Sequence, residues 1–352
     1  MEKTVSRRRM LGRFWLRVVC FALLTALVLS YTAYVLTPKY DYGMCSMLNL
    51  YRQPRNSVDV LVLGTSLAYA GVNTNILWRE YGIPAYNLCS AEQPFWISYY
   101  YLVEALKTQT PAVILLDAKP AIYERDYSKE GRTILSTSGI RPPWTRYQAI
   151  RACVGADEAL DFALVLPKLH RNYERLTAQD FVYPPDNGGR GRSWKGYIEK
   201  NETEKHVRPS LVWVPTRRAI NAREEEYARK IFALANERDI PVLLIGIPNA
   251  DYAYDHMYYN TLWSIAEEYG VEGINYNDPS MRYGLRYSTD FADWQHLNVK
   301  GSVTFTQKLG ADIRALYALP DHRGDVAYAS YDECAATWFA SYPVYAQKGD
   351  DL

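Results

Sequence analysis

The sequence has no surplus of charge, little histidine and no patterned cysteine, and each shortage removes a class of function. Lys and Arg total 40 against 39 Asp and Glu, a formal net charge of +1. A nucleic-acid binder needs a basic field, so no nucleic-acid partner is expected. The five cysteines, Cys20, Cys45, Cys89, Cys153 and Cys334, show no CxxC spacing and no companion histidine cluster, which excludes a structural zinc site. No metal and no other cofactor is expected. Cys45 and Cys334 could pair in an oxidising exterior, but spacing does not fix a disulfide and none is predicted. No internal repeat or low-complexity tract is visible.

What is present is a chain of 352 residues, 48% hydrophobic, long enough for one large domain or two small ones with a substantial core. Tyrosine is abundant at 31 residues. Phenols serve packing and strand faces, and they also suit a wet carbohydrate surface. Near the N-terminus, Arg7, Arg8, Arg9, Arg13 and Arg17 precede the uncharged run Val18–Leu36. Such a run spans about 28 Å as a helix, close to the hydrocarbon thickness of a bilayer. The alternative, a cleaved signal peptide, lacks a small-x-small cleavage site after the run. A single-pass anchor is therefore expected, with the basic residues cytoplasmic and the remainder outside the cell membrane.

Beyond a polar neck, apolar runs and helical periods alternate. Val58–Leu63, Pro111–Asp117, Ile240–Pro248 and a short segment near Gly273–Tyr276 read as strands. Ile97–Thr108, Asn221–Asp239, Asn260–Tyr269 and a final stretch from Lys300 to Tyr317 read as helices. Strands separated by helices pair in parallel, so a three-layer, doubly wound α/β domain of flavodoxin-like type is expected. The alternation fails between 118 and 215, where Gly139–Gln148 and Tyr183–Tyr197 are rich in Pro, Gly, Arg and aromatics. These look like long loops of an inserted cap, or of a variable surface insertion. The expected boundaries are a basic segment 1–17, an anchor 18–37, a neck 38–56, a domain 57–320 containing the insertion, and a tail 321–352 without a clear period.

Two motifs bear on chemistry. Gly64-Thr65-Ser66 closes the first strand, either as an ordinary strand end or as a turn that lifts a hydroxyl to the carboxyl edge of the sheet, where ligands of such folds sit. Asp293-x-x-His296 stands before the last expected helix. At that spacing a carboxylate can hold one ring nitrogen while the other faces a cleft. A serine needs such a base, and the base needs such a partner.

"VLVLGTS" followed by a distant "DWQHLN" resembles the SGNH (GDSL-like) hydrolase superfamily, over roughly Val58 to Leu316. With its anchor, the chain is similar to the membrane-anchored extracytoplasmic branch that includes alginate O-acetyltransferases and the D-alanyl transfer protein of lipoteichoic acid synthesis. The resemblance implies Ser66 as nucleophile, His296 as base and Asp293 as its orienting partner. It places "YNLCSAEQ", Tyr86–Gln93, at the family's second block, and implies backbone oxyanion donors at Ser66 and at Cys89 or Ser90. Departures are equally plain: Thr65 replaces the usual aspartate, the second-block glycine is absent, and "LLDAKP" stands where a Gly-x-Asn-Asp would supply a third donor. Gln93 and Lys119 are candidate substrate contacts, against readings as a capping glutamine and an exposed lysine. His170, in a stretch similar to a His-containing part of the family's insertion, is another, against a packed or surface histidine. The resemblance further implies an O-acyltransferase, most simply an O-acetyltransferase, acting on a polysaccharide or other envelope polymer with a multi-pass membrane-bound O-acyltransferase as partner. An esterase or deacetylase, and a degenerate glycan-binding or scaffold protein, are the alternatives.

Overall fold

Five short strands, three of them runs of Val, Leu and Ile, build the centre of the molecule. In a computed structural model of the protein, which describes residues 2–127, 129–141, 143–182, 194–208, 215–250 and 255–346, they form one parallel sheet. The strands are β1 (Val60–Gly64), β2 (Ala85–Cys89), β3 (Val113–Asp117), β4 (Val242–Gly246) and β5 (Glu272–Asn275), in the order β2-β1-β3-β4-β5. The first four are buried along their whole length, as strands covered on both faces must be. β5 is shorter and partly exposed, in keeping with its place at an edge.

Successive side chains alternate between two faces and feed two cores. Leu61, Leu63, Ile114, Leu116 and Leu244 pack with α5 (Phe95–Ala105), α9 (Ala222–Asn236) and α10 (Asp255–Glu267). Val60, Val62, Leu115, Leu243 and Ile245 pack with α3 (Ser66–Gly71) and α11 (Val299–Leu316), and α4 (Thr74–Tyr81) lies on this side too. The result is the three-layer α/β architecture expected from the alternation. Because the chain runs from β1 out to the edge strand β2 and then returns past β1 to β3, a crevice opens between β1 and β3 at their carboxyl ends.

Elements expected from the sequence appear with shifted ends. The first strand begins at Val60 rather than Val58, because Asp59 N–H donates to Pro84 O in the loop before β2. The helix near 221 begins at Ala222, with the Asn221 side chain capping it through Arg223 N–H, and ends at Asn236. The last helix before the tail begins at Val299 with Asn298 as its cap.

Three expectations need correction. The neck contains α2 (Met44–Leu50), a fully buried helix whose Met47 and Leu50 join the sheet's core. The stretch Gly139–Gln148 is not a loop throughout, since α7 (Pro143–Ala163) starts at Pro143, a position where a missing N–H costs nothing. The tail holds α12 (Ala329–Ser341), whose buried Trp338 and Phe339 pack with Ile76 and Trp78 of α4. Most of Tyr183–Tyr197 lies outside the described residues; of it Trp194 and Tyr197 form an isolated bridge. Among the described residues no disulfide joins the five cysteines.

The N-terminal helix α1 (Glu2–Leu36) contains a segment, Met10–Leu36, long and apolar enough to cross a membrane. Its far end is fastened to the domain. Tyr31 and Tyr34 hydroxyls donate to the Phe181 and Val182 carbonyls, and Asn172 Nδ2 donates to Leu36 O at 3.0 Å.

Gly64 is the tightest point of the sheet, because a Cβ built there would lie 2.4 Å from Cβ of Asp117 on the neighbouring strand. Gly64→Ala must push β1 from β3, and the expected loss is about 1–3 kcal/mol, the ordinary cost of overpacking. Denaturant unfolding of the variant against wild type measures it.

Candidate functional site

The site is built where β1 stops. Thr65 leaves the strand in extended conformation and caps α3, its hydroxyl accepting from Leu67 N–H at 3.2 Å. Ser66 therefore occupies the first helical position, where the backbone N–H has no intrahelical acceptor. The turn is pinned from β3 by Asp117, which is fully buried. Its Oδ2 accepts from Thr65 N–H at 3.0 Å and from Thr65 Oγ1 at 2.6 Å, while Oδ1 accepts from Lys119 N–H at 3.0 Å. Burial pushes the Asp117 carboxyl up, against the pull of these hydrogen bonds.

His296 approaches from the loop before α11. Its Nε2 lies 2.7 Å from Ser66 Oγ, and its Nδ1 lies 2.9 and 2.8 Å from the two carboxylate oxygens of Asp293. The spacing of three works through a tight turn rather than a helix. Asp293 Oδ1 accepts from the N–H groups of both Gln295 and His296 at 2.8 Å, and Ala292 N–H donates to His296 O, next to a bridge between Phe291 and Leu297. Partial burial raises the Asp293 carboxyl, but the three hydrogen bonds outweigh it and hold the group below its ordinary range. A carboxylate kept ionised beside Nδ1 favours a proton there, leaving Nε2 as the acceptor that faces the serine. Tyr69, one turn along α3, shares a hydrogen bond with Ser66, and its ring stacks on Tyr42 at 5.4 Å, which stacks on Tyr40 at 5.2 Å.

Ser66 opens on a cleft of about 550 Å³. Trp96, Lys119, Tyr123, Glu224 and Trp294 are among its walls. Trp294 is 51% exposed, a flat apolar face between the two members of the Asp293–His296 pair. Glu224 is buried; one oxygen accepts from Phe95 N–H at 2.8 Å at the start of α5, and burial pushes its carboxyl well above the ordinary range.

Of the residues singled out from sequence, Ser66, His296 and Asp293 come together. The others do so less or not at all. Ser90 N–H donates to Gly64 O at 3.3 Å, and Cys89 is buried at the end of β2 with its thiol against Val62 O, so neither borders the cleft. Of the three residues expected to supply oxyanion donors, only Ser66 borders the cleft. Lys119 lines the cleft but is not an exposed lysine: it is 3% accessible and pairs with Asp255 Oδ2 at 2.7 Å. Gln93 is fully buried behind the wall, donating to Ser98 Oγ at 3.0 Å and Leu88 O at 3.4 Å. His170 is exposed near the end of α1, its Nδ1 2.6 Å from Pro167 O, and is not part of the cleft. Asp117, Tyr69, Trp294 and Glu224 were not picked out in advance. For Asp117 a signal existed, since a carboxylate at the carboxyl end of a buried parallel strand points into the region where such folds bind ligands. Glu224 gave none; its reach into the cleft depends on how α9 packs on α5.

No family model matches the chain, and no curated protein matches it. Among solved structures, one assigned as an acylhydrolase from Bacteroides fragilis is similar at 11% identity over 76% of this chain and 93% of its own, with a TM-score of 0.35. A gut microbial diltiazem-metabolizing enzyme is similar at 12% identity over 74% of this chain and 48% of its own, with a TM-score of 0.30. At that level neither likeness bears on the chemistry.

Two measurements follow from the geometry. Asp117→Ala leaves Thr65 and Lys119 donors buried without an acceptor, and the expected loss is on the order of 3 kcal/mol in denaturant unfolding. Asp293 has a lowered pKa in the folded protein, so its contribution to stability is complete above the ordinary carboxylate range and is lost as pH falls through the lowered value. Asp293→Asn should therefore flatten the acid limb of the stability curve below about pH 4. Equal slopes in variant and wild type below that pH would contradict the assignment.

Proposed function

We propose that the protein is a serine-dependent acyl-transfer enzyme. Within that class we read it as an extracytoplasmic O-acyltransferase, with acetyl the simplest acyl group, acting on a cell-surface polysaccharide or related envelope polymer. The observation that carries the reading is the unbroken hydrogen-bonded series Asp293–His296–Ser66, with 2.7 Å between Nε2 and Oγ, at the mouth of an open cleft.

In this reading Ser66 Oγ attacks the carbonyl carbon of an acyl donor while His296 Nε2 takes the hydroxyl proton. Asp293 stabilises the imidazolium that results. The tetrahedral oxyanion collapses, the donor's alcohol leaves with the proton from His296, and the acyl group remains as an ester on Ser66. A hydroxyl of the acceptor then gives its proton to His296 and attacks that ester, returning free serine. In this reading the Ser66 N–H, at the start of α3, donates to the oxyanion, and one well-aligned donor contributes about 3 kcal/mol to such a transition state. Exposed Trp294 offers a stacking face to a sugar ring.

The membrane arrangement belongs to the same proposal. Arginines before an apolar helix favour a cytoplasmic N-terminus, which puts the cleft outside. A multi-pass membrane-bound O-acyltransferase supplying acyl groups across the bilayer is the partner that fits this reading.

The test uses the full chain in detergent with p-nitrophenyl acetate, with and without oligosaccharide acceptors. Release of nitrophenol should fall about a thousandfold or more in Ser66→Ala and His296→Ala, and no further in the double variant, because the residues act as a unit. Acetylated oligosaccharide should appear in the wild-type reaction. Acetate as the sole product with every acceptor would make the protein an esterase instead, and activity surviving in Ser66→Ala would remove the serine mechanism.

A further inference from the structure

A second cavity, of about 260 Å³, lies in the loop that leads from β5 to Asp293. Its walls carry three arginines, Arg208, Arg282 and Arg286, and three tyrosines, Tyr276, Tyr283 and Tyr287, with no carboxylate among the lining residues. The carboxylates nearby are committed elsewhere. Asp278 Oδ1 accepts from Ser280 N–H and Oγ, both at 2.7 Å. Asp290 accepts from Arg286 N–H at 2.7 Å and from Thr289 Oγ1, and pairs with Lys300 at 2.9 Å. Asp312 accepts from the Tyr276 hydroxyl at 2.8 Å and pairs with Lys308.

Among the described residues no carboxylate forms an ion pair with these three guanidinium groups. Arg282 and Arg286 are exposed and make no side-chain hydrogen bond or ion pair among the described residues. Arg208 donates through Nη2 to Asp278 O at 3.0 Å and bonds to the Tyr287 hydroxyl, but its Nε is buried without an acceptor among the described residues. Two exposed guanidinium groups beside one buried N–H that lacks an acceptor give the concavity a positive field and an open donor, which favours an anion. Guanidinium groups match the paired oxygens of a carboxylate or phosphate, and the half-buried rings of Tyr283 and Tyr287 offer faces to a sugar.

We propose that this cavity is a second binding subsite, one that holds a sugar residue carrying a carboxylate or a phosphate. Its position gives it a purpose in the proposed reaction. Tyr276 directly follows β5, with its N–H on Gly246 O, so the cavity lies at the same carboxyl edge of the sheet as Ser66. β5 stands three strand spacings from β1, about 14 Å, a span that a short oligosaccharide bridges. Tyr287 packs on Phe291 with ring centroids 4.8 Å apart, two residues before Asp293. An acidic polymer held here would lie with a neighbouring residue toward the cleft. Only this last assignment, of the bound sugar to the acceptor, rests on the acyl-transfer reading; the subsite itself does not.

The experiment is calorimetric titration of the full chain in detergent with tetragalacturonate, glucose 1-phosphate and neutral maltotetraose, each at low and raised salt. At least one anionic probe is expected to bind ten times or more tightly than maltotetraose, more weakly as salt rises, and the preferred probe tells uronate from phosphate. Arg282→Gln/Arg286→Gln, whose side chains are exposed and whose fold is checked by circular dichroism, should weaken that binding at least tenfold. Absence of anionic preference, or wild-type affinity in the double variant, overturns the proposal. Binding is read without turnover, so it stands or falls separately from the nitrophenyl acetate assay. If the arginine variant loses binding while Ser66→Ala keeps its activity, the subsite is retained and the serine mechanism is not.

Discussion

Everything in the site hangs on one buried carboxylate. Asp117 binds Thr65 twice and the backbone of Lys119 once, and so joins the ends of β1 and β3 at the crevice between them. Without that clasp the turn after Gly64 has no fixed direction, and the distance from Ser66 to His296 is not set. The clasp also explains the missing side chain at residue 64, since the strands meet too closely there for any Cβ. Burying an acidic group is costly, and three donors from two neighbouring segments offset that cost. Asp at position 65 would bring a second carboxylate against Asp117; threonine instead brings a donor.

The layered fold was legible in the sequence because its cause is local. Three of the four strands covered on both faces, β1, β3 and β4, are short runs of Val, Leu and Ile and read as strands, whereas β2, with Tyr86 and Asn87 in its middle, does not and is recognised only by its pairing with β1. The parts that were not legible have non-local causes. The buried helix Met44–Leu50 looks like a linker until β2 lies beside it, and α12 is helical with its apolar residues facing Ile76 and Trp78, more than two hundred positions away. For the site, Ser66, Asp293 and His296 could be proposed from residue type and order, whereas the surroundings could not. Ser90 lost its expected role because its N–H continues the pairing of β2 with β1. Lys119 looked solvent-exposed because its partner, Asp255, is 136 positions away on another helix.

The cleft joins two kinds of surface. One wall carries buried, costly polarity in Glu224 and the Lys119–Asp255 pair, and the other carries an open aromatic face in Trp294. Such a division suits a ligand that is amphipathic in the way carbohydrates are, with apolar ring faces and polar edges. The proposed reaction requires only that an ester carbonyl reach Ser66 Oγ; the walls decide what accompanies it.

The fastening of α1 to the domain has a mechanical meaning. Hydrogen bonds from Tyr31, Tyr34 and Asn172 lock the end of the apolar helix to the segments around residues 170–182, and the rings of Tyr40, Tyr42 and Tyr69 stand in a column from the following loop to the helix of Ser66. A flexible tether would let the cleft sample every heading within its reach. This mounting behaves as a bracket: turning the helix about its axis turns the cleft with it, so Ser66 has a bearing as well as a height above whatever surface the helix enters.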